Sequence, residues 1–134
     1  MELIDDSIND YPIDFNESNA IIKVVGVGGG GCNVVQEIYK QGISNVDLMI
    51  CNTDKQALDS NRVNEKIILG PKIARNLGAG CDPKKGREAA LQSREEISKA
   101  LPDRIEMVFV TACLGGGTGT GAAPVIAEIG RAHV

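Results

Sequence analysis

Short apolar runs rich in β-branched residues alternate along the chain with longer segments whose apolar positions recur at helical spacing. Each run ends in glycine or in polar turn residues, which is typical of buried parallel strands. Strands are predicted over residues 21–27, 46–51, 67–69 and 105–112. Helices are predicted over residues 33–41 and 83–101 and from Gly121 or Pro124 onward, and residues 72–81 are predicted to be flexible.

The order of these elements predicts an α/β fold, namely a Rossmann-like three-layer parallel sheet with helices on both faces. Right-handed crossovers favour the strand order 3-2-1-4, in which the chain starts in the middle of the sheet and later returns past its first strand. A topological switch point then lies between strands 1 and 4. Ligands of such folds bind in that crevice, outside the carboxyl ends of the strands.

The 134 residues fit one domain, and their net charge of −4 is unevenly distributed. The first 20 residues hold six acids and no base, so residues 1–20 are predicted to be a disordered acidic leader. The charge and the 3% aromatic content argue against a nucleic-acid partner. No apolar run is long enough to span a membrane, so no membrane insertion is expected. Four scattered cysteines and one histidine predict no metal site.

Ten of the 16 glycines lie in two clusters, at residues 26–31 and 115–121. Each cluster follows a predicted strand and leads into a helix, and the two strands are neighbours in the predicted order. Glycine lets a backbone approach a ligand closely, and helix N-termini attract anions. Together with the hydroxyl groups of Thr118 and Thr120, the clusters predict a polyphosphate site.

Two kinds of function are open before the second cluster is read closely, and one of them accounts for the first cluster alone. Residues 26–31 match the G-x-G-x-x-G pattern, which leaves a Rossmann-type NAD-binding oxidoreductase as an alternative, although Asp47 is misplaced for a ribose-binding acid and Asp54 is better placed. A P-loop is excluded because no G-x-x-x-x-G-K-[ST] motif occurs. A nucleotide-binding module without turnover is the other alternative.

The second cluster decides between them. Residues 115–121, GGGTGTG, resemble the signature loop of the tubulin/FtsZ family of GTPases, and Ala122-Ala123-Pro124 after them resembles its bacterial cell-division branch. Residues 22–33 are similar to the first phosphate loop of that family. Residues 52–58 are similar to its second strand end, and residues 78–83 to the loop that senses the γ-phosphate. The resemblance covers about residues 20–129.

This resemblance implies a site for GTP or GDP, with Mg²⁺ bound to the nucleotide. The implied contacts are those of the first loop with the phosphates, Gly29, Gly30, Gly31, Cys32 and Asn33; those near the ribose or the magnesium shell, Asn52 and Asp54; those near the γ-phosphate, Ala79 and Gly80; and those around the α- and β-phosphates, Gly116, Gly117, Thr118, Gly119 and Thr120. For Asn52 and Asp54, turn capping is the other interpretation.

The resemblance also implies what an intact family member does. It polymerises head-to-tail with itself into the bacterial division ring, in the cytoplasm at mid-cell and with other division proteins. Its GTP hydrolysis needs an acidic loop from the next subunit. Residues 21–129 match only the N-terminal part of the GTP-binding domain, so no catalytic residue is assigned and this chain alone is expected to be inactive. Residues 130–134 do not continue the expected helix and are interpreted as a non-native tail.

Cys32 and Cys113 stand where the family commonly has other small residues. One interpretation is that they are small side chains tolerated by the packing. The other is a thiol activated by a helix N-terminus, which would make nucleotide binding sensitive to oxidation.

Overall fold

A four-stranded parallel sheet forms the centre of the computed structural model, which describes residues 19–133. Its strands are β1 (Ile22–Val27), β2 (Val46–Asn52), β3 (Glu65–Ile68) and β4 (Met107–Ala112). They are arranged in the order β3-β2-β1-β4, and Ile22 of β1 is in register with Val46 of β2 and Met107 of β4. The predicted fold class and strand order are confirmed.

Within residues 19–133, six helices connect and cover the strands. They are α1 (Gly28–Gln41), α2 (Lys55–Asp59), α3 (Pro71–Ala74), α4 (Pro83–Gln92), α5 (Arg94–Lys99) and α6 (Gly117–His133). As predicted, Gly42 follows the end of α1 and caps it in the left-handed conformation, with a φ of 69°. Asp82 caps α4 by accepting a hydrogen bond from the backbone N–H of Lys84, and Pro83 occupies the first helical position.

Strand alternation divides the core between the two faces of the sheet. Val25, Met49 and Leu69 point to the face covered by α4, α5 and α6, where they pack with Ile126. Ile50 points to the opposite face, where it packs with Val35 of α1 and other buried side chains. Helices therefore cover the core residues on both faces of the sheet, and the ends of the central strands are left for ligand access.

Two helices begin earlier than the sequence predicts. The sequence predicts helix starts at Asn33 and near Gly121 or Pro124, yet α1 begins at Gly28 and α6 at Gly117, although glycine is a poor helix former. Tertiary packing overrides propensity here: a β-carbon on Gly119 would lie 2.7 Å from the carbonyl oxygen of Cys113. Only glycine lets these first turns pass so close to neighbouring backbone.

The segment 83–101 is two helices and not one. The side chain of Ser93, at the break, accepts a hydrogen bond from the N–H of Gly70 at 3.0 Å and faces the carbonyl of Ile68. The segment 72–81, predicted to be flexible, contains part of α3 and an antiparallel bridge between Asp54 and Leu77. The break at Ser93 and the bridge at Leu77 both depend on residues distant in sequence, which sequence periodicity does not reveal.

Helix α6 continues to His133, whereas the sequence predicts that it ends at Ile129. Gly130 is buried on the sheet, where an added β-carbon would make ordinary contact with Val108 at 3.5 Å. Residues 1–18 of the predicted leader, and Val134, lie outside the described residues. Among the described helices, none is both long and apolar enough to cross a membrane.

Candidate phosphate-binding site

Two helix N-termini converge at one edge of the sheet. Helix α1 follows β1 directly and α6 follows β4 after a short loop, and these two strands are adjacent and parallel. The space between them is a cavity of about 160 Å³. It is lined by Val27, Gly28, Gly29, Gly30, Cys113, Gly116, Gly117, Thr118 and Gly119. The switch point predicted from the strand order therefore carries a cavity formed by both glycine clusters.

Close approach of backbones shapes this cavity. Gly28 has a φ of 75°, a left-handed conformation that favours glycine. A β-carbon there would lie 3.0 Å from the backbone nitrogen of Gly119. By contrast, Gly29 and Gly116 have open space where a side chain would be. The close approach of Gly28 to Gly119 holds the two loops together. Gly29 and Gly116 leave room for a ligand.

The electrostatics of the cavity favour an anion. The first turns of α1 and α6 contain no acidic side chain. Val27 precedes α1 and provides no side-chain cap for its first N–H groups. The unpaired N–H groups at a helix start and the aligned peptide dipoles carry partial positive charge. Two such ends facing one glycine-lined cavity are suited to a phosphate chain.

Two threonines in the first turn of α6 bond to other segments. The hydroxyl of Thr120 accepts a hydrogen bond from the N–H of Gly115 at 3.1 Å, which closes the loop. The hydroxyl of Thr118 lies 2.6 Å from the hydroxyl of Thr53, in the turn after β2. Of the two predicted hydroxyl donors, Thr118 lines the cavity and Thr120 has a structural partner.

Asn52 and Asp54 both cap turns at the end of β2. The side-chain oxygen of Asn52 accepts a hydrogen bond from the N–H of Thr53 at 2.8 Å. Oδ1 of Asp54 accepts hydrogen bonds from the N–H groups of Gln56 and Ala57 at 3.0 and 3.2 Å, which caps α2. The capping interpretation is confirmed by these contacts, whereas contact with a ribose or a magnesium shell stays a prediction.

Ala79 and Gly80 lie on the loop that leads into α4. Ala79 is buried, and a β-carbon on Gly117 would lie 2.9 Å from its methyl group and 2.6 Å from the N–H nitrogen of Asp82. Gly80 is exposed, with a φ of 59° and open space around it. The loop therefore packs against the start of α6, next to the cavity.

Three predicted residues of the first loop are placed away from the cavity lining. Gly31 packs under β4, where a β-carbon would overlap the carbonyl of Thr111, and Asn33 is exposed further along α1. The thiol of Cys32 points into the core and donates to the carbonyl of Cys51 at 3.4 Å. Burial raises the pKa of Cys32 to about 11, so this thiol is a packed side chain and not an activated one.

The structure adds residues that the sequence-based assignment missed. Gly28 belonged to the G-x-G-x-x-G pattern and could have been found from it. Thr53 is fully buried, and no local signal reveals its bond to Thr118, which is 65 positions away. Cys113 lines the cavity and its side chain covers Gly30. Among residues 19–133, no group of three or more His, Cys, Asp or Glu side chains is placed to hold a metal ion.

Comparison with known proteins gives concordant matches. A family model described as the GTPase domain of the tubulin/FtsZ family matches residues 21–133. The chain is 51% identical over 113 residues to cell division protein FtsZ 1 of Archaeoglobus fulgidus, covering 84% of this chain and 30% of that protein. It is 47% identical over 119 residues to cell division protein FtsZ of Pseudomonas aeruginosa, covering 89% of this chain and 30% of that protein.

Solved structures match in the same way. An empty FtsZ dimer from M. jannaschii aligns with a TM-score of 0.81 at 42% identity, covering 99% of this chain and 38% of that one. CetZ2 from Haloferax volcanii, solved as a GTPγS-bound protofilament, aligns with a TM-score of 0.71 at 32% identity, covering 80% of this chain and 34% of that one. The chain spans about 30% of the length of the curated relatives it matches.

Proposed function

The chain belongs to the tubulin/FtsZ family, within its GTPase domain, and we propose that its described residues hold the phosphates of GTP or GDP. The observation that carries this proposal is the convergence of the α1 and α6 N-termini on one glycine-lined cavity without an acidic side chain in either first turn. A nucleoside di- or triphosphate is the ligand whose charge and shape suit such a cavity.

Each segment takes a distinct part in this proposal. Backbone N–H groups of Gly29 and Gly30, and of Gly116 to Gly119, bind phosphate oxygens from two sides of the cavity. Thr118 adds a hydroxyl donor from the cavity wall. The exposed Gly80, beside the start of α6, is the part of the neighbouring loop that faces the end of the phosphate chain. Gly31 and Cys32 support the first loop by packing against β4 and the core, and Asn33 lies exposed on the next part of α1.

Magnesium is proposed to accompany the nucleotide. The side chains of Asn52 and Asp54 already accept backbone hydrogen bonds, and no cluster of three ligating side chains occurs within residues 19–133. The residues present therefore fit an ion held mainly by phosphate oxygens and water, which is usual for Mg²⁺. When bound, the ion neutralises phosphate charge. This chain's own groups orient the phosphates through N–H and O–H donors.

The intact protein is proposed to be a GTPase that assembles head-to-tail with itself in cell division, in the cytoplasm at the division site and with other division proteins. The names of the matching proteins support this, since they describe cell division proteins, a dimer and a protofilament. Head-to-tail contacts that do not close generate filaments. Hydrolysis is proposed to require groups outside this chain, so these residues position the phosphates and provide positive potential around them.

Calorimetric titration of the purified 134-residue chain with GDP and Mg²⁺ tests the binding proposal. We expect saturable binding that GTP competes with and NAD does not. The double variant Thr118→Val/Gly119→Ala is expected to abolish binding, since it removes a hydroxyl donor and its new β-carbon, 2.7 Å from the carbonyl oxygen of Cys113, displaces the first turn of α6. Gly130→Ala is the matched control, because it lies near the other end of the same helix and meets only ordinary contacts.

Two results would contradict the proposal: no saturable binding of GDP or GTP, or binding that NAD displaces. The second would revive the Rossmann-type oxidoreductase alternative, which the family matches do not support. Loss of GDP binding in Gly130→Ala as well as in the double variant would show that the effect is not specific to the cavity.

A further inference from the structure

We propose that Thr53 is a positioning residue for phosphate binding, which orients the hydroxyl of Thr118 toward the ligand. The inference rests on the proposed function and adds a residue outside both glycine clusters. Thr53 follows β2, on the far side of β1 from β4, and does not line the cavity. It acts only through Thr118, which does.

The two hydroxyl groups form a buried pair. Their oxygens are 2.6 Å apart, and Thr53 is fully buried while Thr118 is 8% exposed. Water therefore has little access to either group, and each depends on the other as a partner. A buried hydroxyl that loses its partner costs free energy, so this bond holds the Thr118 side chain in one orientation.

Thr53 also lies where separate segments of the site meet. A β-carbon on Gly78 would be 3.9 Å from the Thr53 hydroxyl oxygen, so the loop that leads into α4 passes beside it. A β-carbon on Gly28 would be 3.6 Å from Cβ of Thr118. The first glycine loop thus passes close to the side chain that Thr53 holds. The pair joins the end of β2 to the start of α6 at the cavity wall.

The direction of the hydrogen bond gives Thr53 its role. A hydroxyl has one proton to donate and two lone pairs that accept. Phosphate oxygens only accept, so Thr118 must give its proton to the ligand. It can do so without losing the buried bond only if Thr53 donates to Thr118. Thr53 is thereby the first donor of a two-hydroxyl chain that ends on the phosphate, and such chains strengthen their own members.

Thr53→Val tests this, because valine keeps the shape of threonine and removes the donor. We expect GDP to bind this variant about tenfold more weakly than the unchanged chain does. A tenfold loss is the typical effect of losing one hydrogen bond to a charged group, here a phosphate. Thr53→Ser retains the hydroxyl and is expected to bind within about twofold of the unchanged chain. If the valine variant does not fold, Thr53→Cys provides a similar size with a much weaker donor.

Ser93→Ala is the matched structural control. Like Thr53→Val, it removes a buried hydroxyl. The Ser93 hydroxyl bonds to the backbone of Gly70, between β3 and α4 and outside the cavity. It should lower the melting temperature about as much as Thr53→Val and leave GDP affinity unchanged. In the Thr118→Val background, Thr53→Val should cause no further loss of affinity, since the group through which it acts is gone.

The unchanged chain separates the two levels of inference. If it fails to bind GDP, the proposed function is wrong. If it binds GDP and Thr53→Val, folded and with the expected melting temperature, binds equally well, then the positioning role alone is overturned. Equal losses of affinity in Thr53→Val and Ser93→Ala would also overturn it, because a general loss of stability would then explain both.

Discussion

Individual glycines around the cavity serve two different physical purposes, which the space beside each α-carbon distinguishes. A β-carbon on Gly31 would collide with the backbone of Thr111 and lie 3.3 Å from Cα of Ala112. One on Gly29, which lines the cavity, would meet no atom within 4 Å. Gly31 is therefore needed for packing α1 on β4, and Gly29 for leaving the ligand room.

Alanine substitutions separate these purposes. Gly31→Ala is expected to lower the free energy of unfolding by about 2 kcal/mol, because the methyl overpacks the contact between helix and strand. Gly29→Ala should keep or raise stability by up to about 1 kcal/mol, since alanine is the better helix former, while it weakens GDP binding. Urea denaturation and GDP titration of both variants check this. Equal destabilisation by the two substitutions would contradict the distinction.

At the scale of the elements, strand β1 carries a buried lysine that bonds to two other elements. Lys23 lies near the start of β1, an interior strand, with a side chain 3% exposed. Its Nζ donates to Glu65 of β3 at 2.8 Å and to the carbonyl of Ala100 at the end of α5. One buried ammonium group thus joins three elements at the end of the sheet opposite the cavity.

Lys23→Ala should lower the free energy of unfolding by about 2 kcal/mol. It removes a buried stem and two hydrogen bonds, whereas Glu65 is exposed enough to be hydrated afterwards. Lys23→Met, which keeps the stem, should cost less. Lys55→Ala is the control: its pair with Asp59 is more than half exposed, so about 0.5 kcal/mol or less is expected. Similar urea midpoints for Lys23→Ala and Lys55→Ala would contradict a structural role for Lys23.

The strand order was predictable from the sequence and the helix starts were not. Apolar β-branched runs and right-handed crossovers are local or general rules, and they led to the order β3-β2-β1-β4. The starts of α1 and α6 depend on glycines that face backbone far away in the sequence. The break at Ser93 depends on Gly70 in the same way. Features set by pairwise contacts across the fold leave no periodic signal.

The same limit applies to the site. Motif resemblance placed both loops at the cavity because their glycine spacing is distinctive. It also placed Cys32 among ligand-contacting residues, although its thiol lies in the core. Thr53 went unnoticed because a buried threonine between Asn52 and Asp54 looks like any turn residue. Which face of a helix a side chain occupies depends on where the helix begins, and that start was misplaced.

At the scale of the whole molecule, buried thiols make stability depend on pH. Burial raises the pKa of Cys32 from 9.0 to about 11 and raises that of Cys51 as well. Unfolding exposes both thiols, which then ionise near their ordinary pKa. Above about pH 9 the unfolded state therefore binds fewer protons than the folded state, and stability falls as pH rises.

We expect the urea midpoint to be constant between pH 7 and 8 and to fall between pH 9 and 10.5. Over that range the free energy of unfolding falls by at most about 1.4 kcal/mol per pH unit for each thiol. In Cys32→Ala/Cys51→Ala the fall attributable to thiols should be absent, although the cavities lower overall stability. Cys81→Ala/Cys113→Ala is the control, since both of these thiols are exposed. A pH profile unchanged by the first pair would contradict burial as the cause.

Strand β4 forms one edge of the sheet and carries exposed apolar side chains. Within residues 19–133, β4 pairs with β1 alone, and Met107 and Phe109 are half exposed. Their neighbours Val108 and Val110 pack on the α6 side, so these two side chains lie on the α1 side of the edge strand. An unpaired strand edge beside exposed apolar side chains favours association between chains.

Met107→Glu/Phe109→Glu is therefore expected to reduce self-association of the 134-residue chain, with light scattering near the monomer value at concentrations where the unchanged chain associates. Tyr39→Glu/Leu91→Glu adds the same charge at half-exposed apolar positions elsewhere and should leave association largely unchanged. If both double variants scatter light equally little, the reduced self-association is due to net charge and not to this edge. A monodisperse monomer from the unchanged chain at high concentration would show that this edge does not drive association.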